Sequence, residues 1–158
     1  MQLCKQYRAM RRGNRKMKID NNASIENLDP SMRPVLAMAN KIWALLGQEL
    51  VVTCGVNGTH SAGSLHYYGC AVDLRTRYFD DKGSKAAAML KDALKEFNRQ
   101  VQETIYIGSP EQAGTYAVVI ESSHIHVQFK PHLMEVEQAL YTEALNTIKF
   151  KHGANKGS

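Results

Sequence analysis

The stretch that decides the fold is 64-SLHYYGCAVDL-74, in which a histidine-bearing loop leads into a short apolar segment. The β-branched and apolar residues at its end predict a β-strand. Side chains alternate along a strand, so Ala71 and Asp73 share one face while Val72 and Leu74 occupy the other. The strand therefore presents an acid on a rigid support, seven residues after His66 in the loop.

A second stretch, 121-ESSHIHVQF-129, places two imidazoles on one face of a later predicted strand. His124 and His126 alternate with Ile125 and Val127, which we expect to face the core. Two imidazoles on a strand that is backed by apolar residues are well placed to act as nitrogen ligands for a metal ion.

The two stretches together predict a metal site. His66, Asp73 and one histidine of the later strand supply two nitrogens and one carboxylate. Catalytic zinc usually has three protein ligands and an open fourth position. Such ligands suit zinc and do not exclude other divalent metals. Gly69 lets the loop of His66 approach closely because it has no Cβ.

The length of 158 residues favours one domain, large enough to bury a core without disulfides. We expect three reduced cysteines, of which Cys54 and Cys70 are small buried side chains in strands. No apolar run reaches the roughly 20 residues that span a bilayer, and no secretory signal is recognisable. We therefore expect synthesis in a cytoplasm.

The net charge of +5 is concentrated near the N-terminus. Seven basic residues without an acid stand at Lys5, Arg8, Arg11, Arg12, Arg15, Lys16 and Lys18. Such a run attracts nucleic acid, lipid headgroups or acidic cell-wall polymers, or is simply a solvated arm. We predict a flexible arm over residues 1–25, a single domain over 26–150 and a disordered tail over 151–158.

The remaining pattern predicts helices near both ends of the domain and strands between them. One helix starts near Asp29 and Pro30 and stops near Gly47. The other predicted elements are a strand in 49-ELVVTCGV-56, a loop over Asn57–Gly69, a helix over Ser84–Gln100, a hairpin of 104-TIYIG-108 with 115-TYAVVIE-121, and a helix from Pro131 with Leu133, Val136, Leu140, Ala144 and Ile148 buried. This arrangement is typical of an α+β domain.

The motif SxHxxGxAxD, here Ser64, His66, Gly69, Ala71 and Asp73, is followed by HxH on a later strand. Together they resemble the zinc D-alanyl-D-alanine carboxypeptidases, the related phage L-alanyl-D-glutamate endopeptidases and the hedgehog signalling domain, which share one fold. The resemblance covers roughly residues 51–130, about half of the chain.

The resemblance implies an α+β fold with an antiparallel sheet, flanking helices and a Zn²⁺ site in a groove. It implies His66, Asp73 and His126 as the zinc ligands. Glu121 would be the acidic general base, and His124 and His60 would line the active site. In an alternative register, the sequence ESSH makes His124 the third ligand.

The activity implied by the resemblance is hydrolysis of the peptide stems of bacterial peptidoglycan, at either the D-Ala-D-Ala or the L-Ala-D-Glu bond. A small chain without an export signal fits a phage lysis or virion enzyme that reaches the wall after release. We expect a monomer. Two alternatives are a non-catalytic, hedgehog-like binding module and a nucleic-acid binder that uses the basic arm.

One feature of the related enzymes has no counterpart at the expected position. Many of them carry an arginine after the first strand, where this chain has Asn57. Arg75, Arg77 or the N-terminal arm are the candidates for binding a substrate carboxylate in its place.

Overall fold

The computed structural model describes residues 16–105, 114–131, 140 and 142–148. Its strands are β1 (Lys18–Ile19), β2 (Val51–Cys54), β3 (Ala71–Arg75), β4 (Gly114–Ile120) and β5 (His124–Pro131). Its main helices are α1 (Met32–Leu45) and α2 (Ser84–Ile105), with a 3₁₀ helix at Leu65–Tyr68. Residues 142–148 are also helical. The chain is thus α+β, as the sequence predicts.

The five strands form one open sheet in the order β1-β2-β3-β5-β4. All neighbouring pairs are antiparallel except β1 with β2, which run parallel. The sheet is therefore mixed rather than wholly antiparallel. It also begins earlier than expected, because Lys18 and Ile19 belong to the segment predicted as a flexible arm. Residues 1–15 and 151–158 lie outside the described part of the chain.

The alternation predicted for the two motif strands is confirmed. Val72, Leu74, Ile125 and Val127 have no exposed surface and belong to the main hydrophobic core. Helices α1 and α2 pack against each other and cover this face of the sheet. The opposite face of β3 and β5 is left for the polar side chains, so burial of the apolar set determines where the histidines point.

Helix α1 begins close to the predicted position. The carboxylate of Asp29 accepts a hydrogen bond from the Ser31 amide at 2.9 Å, and the Asp29 carbonyl accepts one from Met32 at 2.9 Å. The helix ends at Leu45, and Gly47 follows with a φ of 79°. This left-handed conformation is one that glycine adopts without strain.

The predicted hairpin and last helix need correction. Thr104 and Ile105 end helix α2 instead of starting a strand, and residues 106–113 lie outside the described residues. Strand β4 pairs with β5 across the turn at residues 121–123. Pro131 ends β5 rather than starting a helix.

The predicted buried stripe of the last helix is also wrong where it is described. Residues 142–148 are helical but exposed, and Leu140 and Ile148 are more than half exposed. Leu133 and Val136 lie outside the described residues.

Candidate metal centre

The pairing of β3 with β5 brings two of the predicted ligands side by side. Asp73 lies directly opposite His126, and Arg75 lies opposite His124. Residues that face each other across a strand pair project to the same side of the sheet. The Asp73 carboxylate and the His126 imidazole therefore meet above the face that is not covered by helices.

The 3₁₀ helix delivers the third predicted ligand. The Ser64 hydroxyl caps this helix by accepting a hydrogen bond from the His66 amide at 3.4 Å. The helix ends at Gly69 with a φ of 71°, and a Cβ there would lie 2.6 Å from the Asn27 carbonyl oxygen. The chain can therefore turn directly into β3 only with glycine at this position. His66 is left 3% exposed beside Asp73.

Three ligand atoms converge at this point. His66 Nε2 lies 3.2 Å from His126 Nδ1 and 3.3 Å from Asp73 Oδ1, and His126 Nδ1 lies 2.9 Å from Asp73 Oδ1. Nitrogen and oxygen ligands of tetrahedral zinc, at roughly 2.0–2.2 Å from the ion, are about 3.3 Å apart. The three side chains are thus geometrically able to bind a metal ion.

The outward-facing nitrogens of both histidines have their own partners. His66 Nδ1 donates to the Gly55 carbonyl at 2.7 Å, which leaves Nε2 with a lone pair when the ring is neutral. His126 Nε2 lies 3.1 Å from Gln128 Oε1, to which it can donate. Hydrogen bonds of this kind orient histidines that bind metal ions in other proteins.

The electrostatics of the cluster favour an ionised aspartate. Burial of Asp73 opposes ionisation, but hydrogen bonds from His126 and His66 outweigh it and hold the pKa of the carboxyl well below its usual range. The hydrogen bond to Asp73 raises the pKa of His126, against the opposing effect of burial. In the absence of a metal ion, this hydrogen bond favours a proton on His126 beside Asp73.

An open groove of about 620 Å³ lies above the three ligand atoms. His124 and Glu121 form part of its wall, with His124 Nε2 3.2 Å from Glu121 Oε2 and 3.7 Å from Asp73 Oδ2. Glu121 is half exposed. The structure thus brings His126 to the ligand cluster and places His124 between the second oxygen of Asp73 and Glu121.

His60 also lines the groove, but its ring is engaged on both sides. It stacks on His66 with a centroid distance of 4.1 Å and an interplanar angle of 8°. Its Nε2 lies 3.0 Å from the Asn57 carbonyl oxygen and 3.4 Å from Cys54 Sγ. Cys54, His60 and His66 form a second group whose ligand atoms lie within 4.8 Å of one another.

The residues considered for binding a substrate carboxylate lie in different places relative to the groove. Arg75 forms an ion pair with Asp20 and does not line the groove. Asn57 accepts a hydrogen bond from the Ser24 amide at 2.7 Å and so ties the loop to residues 22–24. Within the described residues, Lys130 is the cationic side chain that lines the groove.

Two residues near the centre, Gln128 and Cys54, have environments that the sequence pattern did not predict. Gln128 lies two residues after His126, and the strand alternation applied to the histidines also places it on the metal-facing side. Cys54 was assigned to the buried core, yet it is half-buried and pairs opposite Asp73. The pairing of β2 with β3 is irregular between Val52 and Cys54. A bulge of this kind has no local sequence signal here.

No protein-family model, curated protein or solved structure matches the chain significantly. No helix in the described part of the chain has the length and apolar character needed to cross a membrane.

Proposed function

We propose that the protein is a zinc-dependent peptidase that hydrolyses peptide-stem bonds of bacterial peptidoglycan. The observation that carries this proposal is the convergence of His66 Nε2, Asp73 Oδ1 and His126 Nδ1 at 2.9–3.3 Å beneath an open groove. The motifs around these residues resemble those of zinc carboxypeptidases and phage endopeptidases, which supplies the substrate class.

The donor set fits zinc better than it fits a hard cation. Two imidazole nitrogens and one carboxylate oxygen are typical zinc ligands, whereas calcium and magnesium prefer sets made of oxygen. When bound there, zinc would lower the pKa of a water molecule to about 7 and polarise a peptide carbonyl. The chain itself supplies three ligands and an open side, as catalytic sites require.

Glu121 is the general acid–base residue of the proposal, and His124 is the oxyanion donor. Glu121 is half exposed at the groove, so its carboxylate can accept a proton from attacking water and deliver it to the departing amine. His124 lies within 3.2 Å of this carboxylate and can donate a hydrogen bond to the developing oxyanion. His60 supports His66 by stacking, since its Nε2 is directed at Asn57 and Cys54.

The groove is compatible with an extended anionic peptide. It is open along the row that His124, His126, Gln128 and Lys130 form on one face of β5. Lys130 lies at the opposite end of this row from Glu121, which places a positive charge away from the proposed general base. A carboxylate of the peptide stem is the group that this lysine would attract.

The test is digestion of purified peptidoglycan, with mass spectrometry of the released peptides in the presence and absence of a chelator. We expect zinc-dependent release of fragments, whose masses identify the D-Ala-D-Ala or the L-Ala-D-Glu bond. Glu121→Gln should lower the rate by about 100-fold or more, as loss of a general base does, while bound zinc measured by elemental analysis is unchanged.

Glu26→Gln is the matched control, because Glu26 is an exposed glutamate that does not line the groove. It should keep full activity. Full activity in the Glu121 variant would remove this residue from the mechanism, and peptidoglycan left intact by the zinc-loaded protein would refute the peptidase proposal.

A second candidate function is a non-catalytic zinc-containing binding module of the hedgehog type. The contact between Glu121 and His124 favours it, because a base that is held by a neighbouring imidazole is less available to water. In that case zinc binds with the same ligands, and peptidoglycan fragments bind in the groove without being cleaved. Binding measured by calorimetry together with absent turnover would identify this function.

A further inference from the structure

A second cluster of metal-ligating atoms lies behind the first, on the side of His66 that faces β2. Cys54 Sγ lies 3.4 Å from His60 Nε2 and 3.2 Å from the Asn57 carbonyl oxygen, and His60 Nε2 lies 3.0 Å from the same oxygen. The proposed peptidase mechanism gives the thiol no role.

These separations approach those of a thiolate-containing metal site. With a Zn–S distance of about 2.3 Å and a Zn–N distance of about 2.05 Å, sulfur and nitrogen ligands of a tetrahedral ion are about 3.6 Å apart. The thiol and the imidazole are thus within a few tenths of an ångström of the separation that one shared cation requires. A ring nitrogen of His66 also lies within 4.8 Å of both.

A glycine and a tyrosine hydroxyl position the loop that carries His60. Gly58 lies between Cys54 and His60 in the chain with a φ of 96°, a backbone conformation that residues with a Cβ rarely adopt. The Tyr67 hydroxyl holds the backbone of His60 on both sides, accepting from its amide at 2.7 Å and donating to its carbonyl at 2.8 Å. His60 is therefore fixed by contacts that do not involve its own ring nitrogens.

We propose that Cys54 and His60 form a second transition-metal site, bordered by His66 and assisted by the Asn57 carbonyl. One thiolate and one imidazole favour a borderline or soft ion such as Zn²⁺ or Co²⁺ over Mg²⁺ or Ca²⁺. Binding transfers the thiol proton to solvent, and the imidazole carries its remaining proton on Nδ1. The site secures the loop that carries His60 against His66.

Cobalt distinguishes this site from the first one, because only a thiolate ligand gives an intense sulfur-to-cobalt charge-transfer band in the near ultraviolet. The experiment adds Co²⁺ to the full chain and to the Cys54→Ser variant, with Cys70→Ser and Cys4→Ser as matched controls. Cys70 is a suitable control because it is a buried cysteine in the neighbouring segment and belongs to neither ligand group.

We expect the band in the unaltered protein and in both controls. In Cys54→Ser the band should be lost, and the variant should bind one equivalent of cobalt fewer than the unaltered protein. His60→Ala should weaken cobalt binding at this site at least tenfold, which provides a second test if the serine variant folds poorly. Asp73→Asn should keep the band, since that aspartate belongs to the first centre. A missing band, or a band that persists in Cys54→Ser, would overturn the proposal.

Discussion

The hydrogen bond from His126 to Gln128 gives the sharpest prediction about the candidate metal centre. Replacing Gln128 with leucine removes the oxygen that lies 3.1 Å from His126 Nε2, while the three ligand atoms are left in place. We expect the Gln128→Leu variant to bind zinc more weakly, because the Nε2 proton loses its acceptor and the ring is oriented from one side only.

The magnitude follows from the chemistry of this contact. A neutral hydrogen bond contributes about 1 kcal/mol net, and one to a charged partner is roughly twice as strong. The imidazole N–H becomes more acidic when the ring binds a cation. Removing the Gln128 acceptor therefore destabilises the metal-bound state by about 1 kcal/mol more than the metal-free state. Loss of ring orientation adds to this, and outer-shell partners typically change metal affinity roughly 10- to 100-fold. We expect about a tenfold loss, or about 1.4 kcal/mol.

The assay is a zinc titration in competition with a chromophoric chelator. Gln128→Glu keeps an acceptor oxygen at this position and adds a negative charge, so its affinity should equal or exceed that of the unaltered protein. Gln48→Leu makes the same chemical change at another half-buried glutamine, which bonds the Tyr78 carbonyl away from the groove. Equal zinc affinity in all four proteins would refute the reasoning.

Three further predictions concern the whole fold. Zinc at 100 times its dissociation constant should stabilise the protein by about 2.7 kcal/mol, which raises the melting temperature by roughly 5–10 °C; a scan with and without chelator checks this. Leu74→Ala should lower the free energy of unfolding by about 2–5 kcal/mol because the side chain is fully buried, whereas Leu45→Ala, at a side chain 77% exposed, should change it by about 0.5 kcal/mol or less in urea titrations. Burial, with the charge of Asp29, raises the pKa of Tyr116 to about 12. Its contribution to stability is therefore complete below about pH 10 and is lost as the pH rises through about 12. In Tyr116→Phe, the free energy of unfolding measured against pH should fall less steeply over this range.

The predictions from local pattern succeeded where a strand carries a clear alternation. In β5, the apolar partners of the two histidines are fully buried, and one buried face leaves the other side chains no choice of direction. The same alternation in β3 predicted the face on which Asp73 lies, and the strand register places it opposite His126. Both strands lie inside the sheet, where β-strand propensity and burial of the apolar residues predict the same structure.

The sequence-based assignments of secondary structure were wrong where distant contacts, or a helical spacing that competes with strand propensity, determine the element. Thr104 and Ile105 have good strand propensity, yet Ile105 follows Val101 by four residues and continues the helical spacing of Leu90 and Leu94. Strand β1 has two residues and pairs parallel with β2. A strand this short has no period to detect, and parallel pairing depends on chain that is distant in sequence.

The same distinction explains why the candidate metal centre was only partly visible in the sequence. The ligand types and their spacing were readable, but the positions of the protons were not. A metal site and a histidine–aspartate hydrogen-bond network use the same three side chains. They differ in which ring nitrogens carry a proton, and this depends on neighbours such as the Gly55 carbonyl and the Gln128 amide.

These two acceptors are compatible with a cation among the three ligand atoms. When both outward nitrogens donate to their acceptors and the rings are neutral, His66 Nε2, His126 Nδ1 and Asp73 Oδ1 all direct electron pairs at one another. A single proton can lie between only two of these atoms, whereas a divalent ion satisfies all three. The sheet register and the 3₁₀ helix hold the three atoms together by contacts outside the cluster, so we expect either a proton on His126 or a bound metal ion to offset the repulsion among them.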